Sequence, residues 1–294
     1  MDLKHLRYFL AGATEGTFTA AAQRLGMTQP ALSRAIRALE DEVGTALFVR
    51  GRHGAELTAA GRVLAEDAPG VDEYARAALA RVARLGREGP QLRVTARACD
   101  VDVLQGLVES YNVRYRNGLP ARAAVANWPT QADELRAGAA DVSLLRTPFD
   151  DRGLDSDPVR SDERVALLPQ SHPLAGRELI DRAELAGEAF PQWADVGPAE
   201  TAYWTGTDLA HHDWRAGPIV RDAAQYTSAI RLGQAVGFVP ITLLPELPLT
   251  GVSVVPVTGL SASELRIAWP STTTSPDVAR FVRHATEPAP LTGA

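Results

Sequence analysis

A single cysteine, Cys99, leaves the chain unable to form an internal disulfide, which fits a reducing, cytoplasmic setting. Lysine is almost absent as well. Lys4 is the only one among 30 basic residues, so no phosphate loop of the G-x-x-x-x-G-K type exists, and a lysine Schiff base is confined to the extreme N-terminus. No G-x-S-x-G elbow, H-E-x-x-H pair or C-x-x-C pair occurs, which removes the commonest hydrolase, zinc-protease and thiol-redox signatures. No apolar run approaches the roughly 18 to 20 residues of a membrane span, and Met1 to Phe9 is too polar for a secretory leader. His211 and His212 are adjacent, so their side chains diverge on helix or strand; without a Cys or third His nearby they read as solvated loop residues rather than metal ligands. No metal, cofactor, membrane contact or enzymatic activity is expected.

What is present is ordinary globular material, 45% hydrophobic and 22% charged over 294 residues, enough for two or three cores. The net charge of −6 is unevenly divided. Residues 1–62 hold eight basic and six acidic side chains, whereas the remainder holds 22 and 30. Between Gly16 and Leu39 there are three Arg and no Asp or Glu. A polyanion would be repelled by the bulk of the chain but not by its head.

The head centres on residues 17–43, TFTAAAQRLGMTQPALSRAIRALEDEV. Helical spacing sets Leu32, Ile36, Leu39 and Val43 on one apolar stripe, with Gln29, Ser33, Arg34 and Arg37 on the opposite face. Gly26 is suited to end the preceding helix, Thr28 to cap the next, and Met27 to staple onto Leu32. Pro30 falls in the first turn, where a missing N–H costs nothing. Leu3, Leu6, Phe9, Leu10 and Ala13 predict a first helix closing the same core. Glu40, Asp41 and Glu42 read as a solvated face. The pattern suits a helix lying in a DNA groove, and by itself also fits any soluble helical hairpin.

Three stretches carry a resemblance: MDLKHLRYF, then GTFTAAAQRLGMTQPALSRAIRALEDEVGTALFVR, then LTAAG. They resemble the N-terminal domain of the LysR-type transcriptional regulators, with the family's S/T-Q-P-A-L-S-R core at 28–34. The resemblance implies an all-α winged helix-turn-helix over 1–58 (helix-turn-helix 18–37), a linker and dimerisation helix over 59–86, and a two-lobed, periplasmic-binding-protein-like α/β domain over 91–290. Its partners would be duplex DNA with an imperfectly palindromic operator, a small-molecule effector, RNA polymerase, and further copies of itself as dimer or tetramer. Thr28, Gln29, Pro30, Ser33 and Arg34 would then meet base edges, and Thr17, Thr19, Arg37, Arg50 and Arg52 the phosphates. In the hairpin wing His53 stands where the family commonly places a groove-reaching Arg, and Glu56 replaces a residue that is often basic.

Thr58 is placed to cap the long helix. Leu64, Ala68, Val71, Ala75, Ala78, Val82 and Leu85 follow heptad spacing, a seam for helix pairing or the face of a single amphipathic helix, and Pro69-Gly70 should kink or break it. After a hinge at 86–90, strands are expected near 92–95, 122–126, 142–146, 164–168, 219–221, 238–240, 252–257 and 265–269. Helices fall near 101–116, 131–137, 182–185, 223–236 and 277–285. Such alternation predicts parallel sheets with crossovers. LRAGAADVSLLR, DERVALLPQSHPLAGR and AVGFVPITLLPE resemble the family's effector domain, although its usual Leu-Pro after the first strand is missing. The resemblance implies lobe I at 91–160 plus 266–290 and lobe II at 161–265.

Ligands of open sheets sit beyond the strands' carboxyl ends. That rule nominates Arg97, Ala98, Cys99 and Asp100 after the first strand, Trp128 and Thr130 after the second, and Arg146 and Thr147 after the third. Trp193, Gln225 and Tyr226 would come from lobe II. Each could equally serve in capping or packing. Asp100 and Asp102 already neutralise the start of a helix, so an anionic effector would be met by Arg97 or Arg146 instead. The aromatics between Trp193 and Trp214, including Tyr203 and Trp204, fit a pocket lining, a domain core or an oligomer contact. Cys99 precedes a helix and is either a reactive or an unexceptional thiol.

Overall fold

Apolar periodicity in the head becomes three short helices. In the computed structural model, which describes residues 2–51, 54–128 and 130–287, α1 (Leu3–Glu15), α2 (Phe18–Arg24) and α3 (Gln29–Val43) enclose a core. Leu6, Phe9, Ala21, Ala22, Leu32, Ile36 and Leu39 are all buried there, each large side chain being worth about 1.5–3 kcal/mol. Gly26 closes the α2 turn at φ +65°. Val43, placed on the stripe by spacing, is 45% exposed, because α3 ends at Gly44 and the stripe runs past the core. Glu40 also departs from the reading as a solvated acid: its Oε1 accepts from the backbone N–H groups of Leu47 and Phe48, fixing the exit from α3.

A hairpin follows, β1 (Phe48–Gly51) paired antiparallel with β2 (Gly54–Leu57). Thr58 then caps α4 (Ala59–Glu88), its hydroxyl accepting from Gly61 N–H and donating to the Ala46 carbonyl. Of the kink or break expected at Pro69-Gly70, the break does not occur. The helix runs through it, since one lost N–H removes a single bond from a 30-residue ladder. Asp72 is buried and bridges Arg7 of α1 and Arg76. The heptad seam splits in two: Ala68 is buried and Leu64 half-buried in the head core, whereas Val71, Val82 and Leu85 are exposed. The chain forms two compact units, Met1–Arg84 and Leu85–Ala294.

In the second unit, β3 (Leu92–Ala96), α5 (Val101–Arg114), β4 (Ala121–Val125), α6 (Gln131–Arg136) and β5 (Val142–Arg146) begin a five-stranded sheet. β6 (Leu154–Asp162) lies at one edge of it. Next come β7 (Arg164–Pro169), β8 (Ile180–Asp181), β9 (Ala189–Trp193), α7 (Pro198–Thr205), β10 (Arg215–Val220), α8 (Ala223–Arg231), β11 (Gly237–Pro240) and β12 (Val252–Thr258). β13 (Ser263–Pro270) returns to the first sheet, and α9 (Pro276–Thr286) covers it. The sheet orders are β4-β3-β5-β13-β6, β11-β7-β12-β8 and β10-β9. Strand-helix alternation predicts parallel pairing, and β3 is indeed parallel to β4 and β5. β13 is antiparallel to β5 and β6, and β7 to β11 and β12; none of these pairs is consecutive in the chain, so strand-helix alternation does not set their direction. α8 stops at Arg231, short of the expected 236, as Gly233 turns the chain at φ +71°.

Candidate nucleic-acid interface and interlobe cleft

The outward face of α3 follows from its buried one. With Leu32, Ile36 and Leu39 fixed in the core, Gln29, Pro30, Arg34 and Arg37 are left exposed and Ser33 half-buried. Gln29 Nε2 donates to Ser33 Oγ at 3.0 Å, one helical turn apart, so the amide is held along the helix face. Thr28 occupies the N-cap position but its hydroxyl makes no capping bond; the N–H groups of Ala31 and Leu32 go to the Thr28 carbonyl, leaving the exposed hydroxyl unspent on α3. Thr17 does cap, accepting from Ala20 N–H at the start of α2, where Thr19 is exposed. Arg24 is neutralised by Glu15 at 2.8 Å. Arg50 lies in β1, its backbone paired with Ala55. Arg52 and His53 lie outside the described residues.

In the second unit, four of the nominated residues come together. Arg97, Trp128, Arg146 and Thr147 meet Glu200, Tyr203 and Trp204 of α7, with Pro148, Pro240 and Leu243 completing the cleft. Their side chains leave only about 10 Å³ of open space, room for one water molecule. Trp128 faces Trp193 and Trp204 with ring centroids 4.6 and 6.0 Å away, and Trp193 stacks on Tyr226. A broader depression of about 470 Å³ adjoins it, sharing Thr147, Pro148 and Tyr203 and bordered by Asp208 and Glu264.

Arg146 departs from its expected role as a receiver of anions. It is buried, and its Nε lies 3.0 and 3.1 Å from the two oxygens of Asp100. Its Nη2 reaches Asp100 Oδ1 at 2.6 Å and Thr242 Oγ1 at 3.3 Å, while Nη1 donates to Asp162 and Ser263. A buried guanidinium needs such partners, and removing one typically costs about 3–5 kcal/mol. Arg97 is less well served: its Nε is buried without a hydrogen bond, 3.6 Å from Asp100 Oδ2, and its guanidinium carbon lies 5.9 Å from the centre of the Trp128 ring.

Of the other nominated residues, Asp100 and Trp193 adjoin the cleft through Arg146 and Trp128, and Ala98, Thr130 and Gln225 do not line it. Ala98 and Thr130 are exposed, the Thr130 hydroxyl donating to the Asn127 carbonyl. Gln225 is exposed and accepts from Arg221 N–H, a helix-start bond. Tyr226 is core, its hydroxyl bonded to the Phe238 backbone. Burial pushes the Cys99 thiol up to about 11 against the opposing pull of Arg97, the reverse of a reactive thiolate. His212 is buried, its Nε2 donating to the Thr205 carbonyl, and only His211 is the exposed loop residue both were expected to be. Glu200 is the acid that sequence reading missed. Burial pushes its carboxyl up, opposed by the Gly197 N–H bond and Arg97. Gly197-Pro198-Ala199-Glu200, a helix start with Pro in the first turn and Glu three residues after the cap, is the signal that would have located α7 and its aromatics.

Comparison with known proteins agrees with both halves. The family described as bacterial regulatory helix-turn-helix protein, lysR family, matches residues 3–62, and the LysR substrate binding domain matches residues 85–289. The chain is 35% identical over 191 residues to the Hca operon transcriptional activator HcaR of Escherichia coli (strain K12), covering 65% of this chain and 64% of that protein. It is 30% identical to the HTH-type transcriptional regulator BudR of Raoultella terrigena, over 96% of this chain and 99% of that one. Full-length BenM shares the fold at a TM-score of 0.54 and 20% identity, over 97% of this chain and 95% of that one. Full-length CbnR, solved with its target DNA, does so at 0.52 and 23%, over 97% and 98%. The chain belongs to the LysR family of bacterial helix-turn-helix regulators.

Proposed function

We propose that this protein is a sequence-specific transcriptional regulator that binds duplex DNA through α3 and is controlled by a small molecule at the cleft of its second unit. The stretch of α3 from Gln29 to Leu39, which holds no acid, carries this reading: Gln29, Ser33 and Arg34 stand on a helix whose other side is locked into a core. Gln is suited to an adenine edge and Arg to a guanine edge, and Thr28 and Pro30 lie at the end of the helix that would enter the groove. Thr17, Thr19, Arg37, Arg50 and Arg52 hold the phosphates in this reading, and His53 takes the wing-tip position. The exposed Val71, Tyr74, Leu79 and Val82 of α4 favour pairing with a second copy, and a two-fold dimer reads two half-sites of an imperfect palindrome. The regulator then works in the cytoplasm beside promoter-bound RNA polymerase, a ligand shifting the population between two ways of engaging DNA.

Fluorescence anisotropy with a duplex from upstream of the regulator's own gene, and with a scrambled duplex, tests the assignment. Arg34→Ala abolishes the preference for the first duplex, a loss of about 1–3 kcal/mol per lost base contact. Arg37→Ala weakens both duplexes alike and lowers the salt dependence. Equal losses on both duplexes from Arg34→Ala contradict the reading.

The nearly filled cleft favours a second reading, in which the second unit serves oligomerisation without an effector. A thermal-shift screen against metabolites separates the two, since a ligand bound only to the folded state raises the midpoint.

A further inference from the structure

Asp100 stands at the N-cap of α5, where an aspartate ordinarily accepts N–H groups of its own helix. Here it makes no capping bond. Its side chain is fully buried and turned to Arg146, which holds both carboxylate oxygens, and to Arg97, 3.6 Å from Oδ2. Two arginines at the carboxyl ends of parallel strands are what an incoming carboxylate would require. The chain supplies that carboxylate itself. Asp162 takes the remaining Arg146 nitrogen and also pairs with the partly exposed Arg160, so Asp100 and Asp162 satisfy the buried Arg146 without a ligand. Thr242 ties the set together, donating to Asp162 and accepting from Arg146. The cleft above is nearly filled by its own side chains.

We propose that Asp100 is a built-in carboxylate occupying the anion position of this cleft, so that the protein rejects carboxylic acids there and admits them only when Asp100 is removed. The inference rests on the cleft being the effector site. That reading is tested by whether any ligand changes stability or DNA binding, whereas this one is decided by heats and melting points with defined acids on the protein alone.

The experiment uses the full chain, wild type and Asp100→Ala, titrated with sodium acetate and sodium benzoate by calorimetry and thermal melting. Sodium chloride at equal ionic strength and neutral acetamide serve as controls. Wild type gives neither heat nor a shift with either acid at millimolar concentration. Asp100→Ala melts lower, because Arg146 loses its partner, and acetate restores the midpoint where chloride and acetamide do not, with affinity at least about tenfold above wild type. If the variant does not fold unaided, its refolding yield in acetate against chloride gives the same answer. Acetate-dependent recovery supports the proposal, and equal failure in both salts overturns it. Wild-type binding of either acid that disappears in Arg97→Gln also overturns it, as does an Asp100→Ala protein that ignores acids.

Discussion

Trp128, in the loop after β4, meets Trp193 at the end of β9 edge to face, with ring centroids 4.6 Å apart and planes at 87°. Their strands belong to different sheets, so this contact and the one from Trp128 to Trp204 join the two lobes across the cleft. Trp128 is only partly buried, so Trp128→Ala is expected to destabilise the chain by about 1–3 kcal/mol, less than the usual cost for a fully buried ring. Trp193 and Trp204 gain water in the variant and their emission moves to longer wavelength. Urea melts followed by fluorescence read both, and Trp128→Phe retains most of the stability. An Ala variant with unchanged midpoint and emission would show that the ring does not hold the lobes.

Gly61 of α4 lies so close to the wing that a Cβ there would stand 2.1 Å from the Leu47 carbonyl oxygen, a backbone atom. Gly61→Ala therefore has to push helix and hairpin apart, and a loss above about 2 kcal/mol is expected. Gly70, nine residues along the same helix, has nothing within 4 Å of its Cβ position. There alanine stabilises by up to ~1 kcal/mol through helix propensity. Chemical denaturation of the pair tests whether close approach, and not glycine content, is what the head depends on. Equal effects at both sites contradict it.

His284 of α9 packs edge-on against Tyr111 and Tyr115 of the α5 segment, with Nε2 2.9 Å from Ser110 Oγ. Burial, helped by nearby Arg114 and opposed by Glu287, holds its pKa below the ordinary 6.5. The unfolded chain then takes up a proton that the folded chain resists. Its contribution is complete above the unfolded value and is lost as pH falls through 6.5 toward the folded value. Denaturation midpoints measured between about pH 7 and 5 should fall more steeply in wild type than in His284→Gln. Parallel curves would contradict the shift.

Elements with strong local rules were legible in advance. The α2 stop at Gly26, the Thr58 cap, and the buried faces of α1 and α3 follow from periodicity and turn chemistry over a few residues. β6 was missed because LDSDPVRSD has neither alternation nor β-branched density; it survives as an edge strand, where Pro158 need not donate to a neighbour. β9 was hidden by Pro191 for a similar reason. Glu40 read as a solvated acid since nothing local shows that two N–H groups seven and eight residues away need an acceptor.

By itself, then, the sequence determined the α3 surface and the family of its head, since each depends on neighbours within a few helical turns. The cleft was decided only in three dimensions. Arg97, Asp100, Arg146, Asp162 and Thr242 are scattered over some 146 positions, and each has an unremarkable local context. Which of the arginines is neutralised depends on whether β3, β5, β6 and the turn after β11 converge. Electrostatic energy is set by distance through space and by burial, and neither is written in the order of the residues.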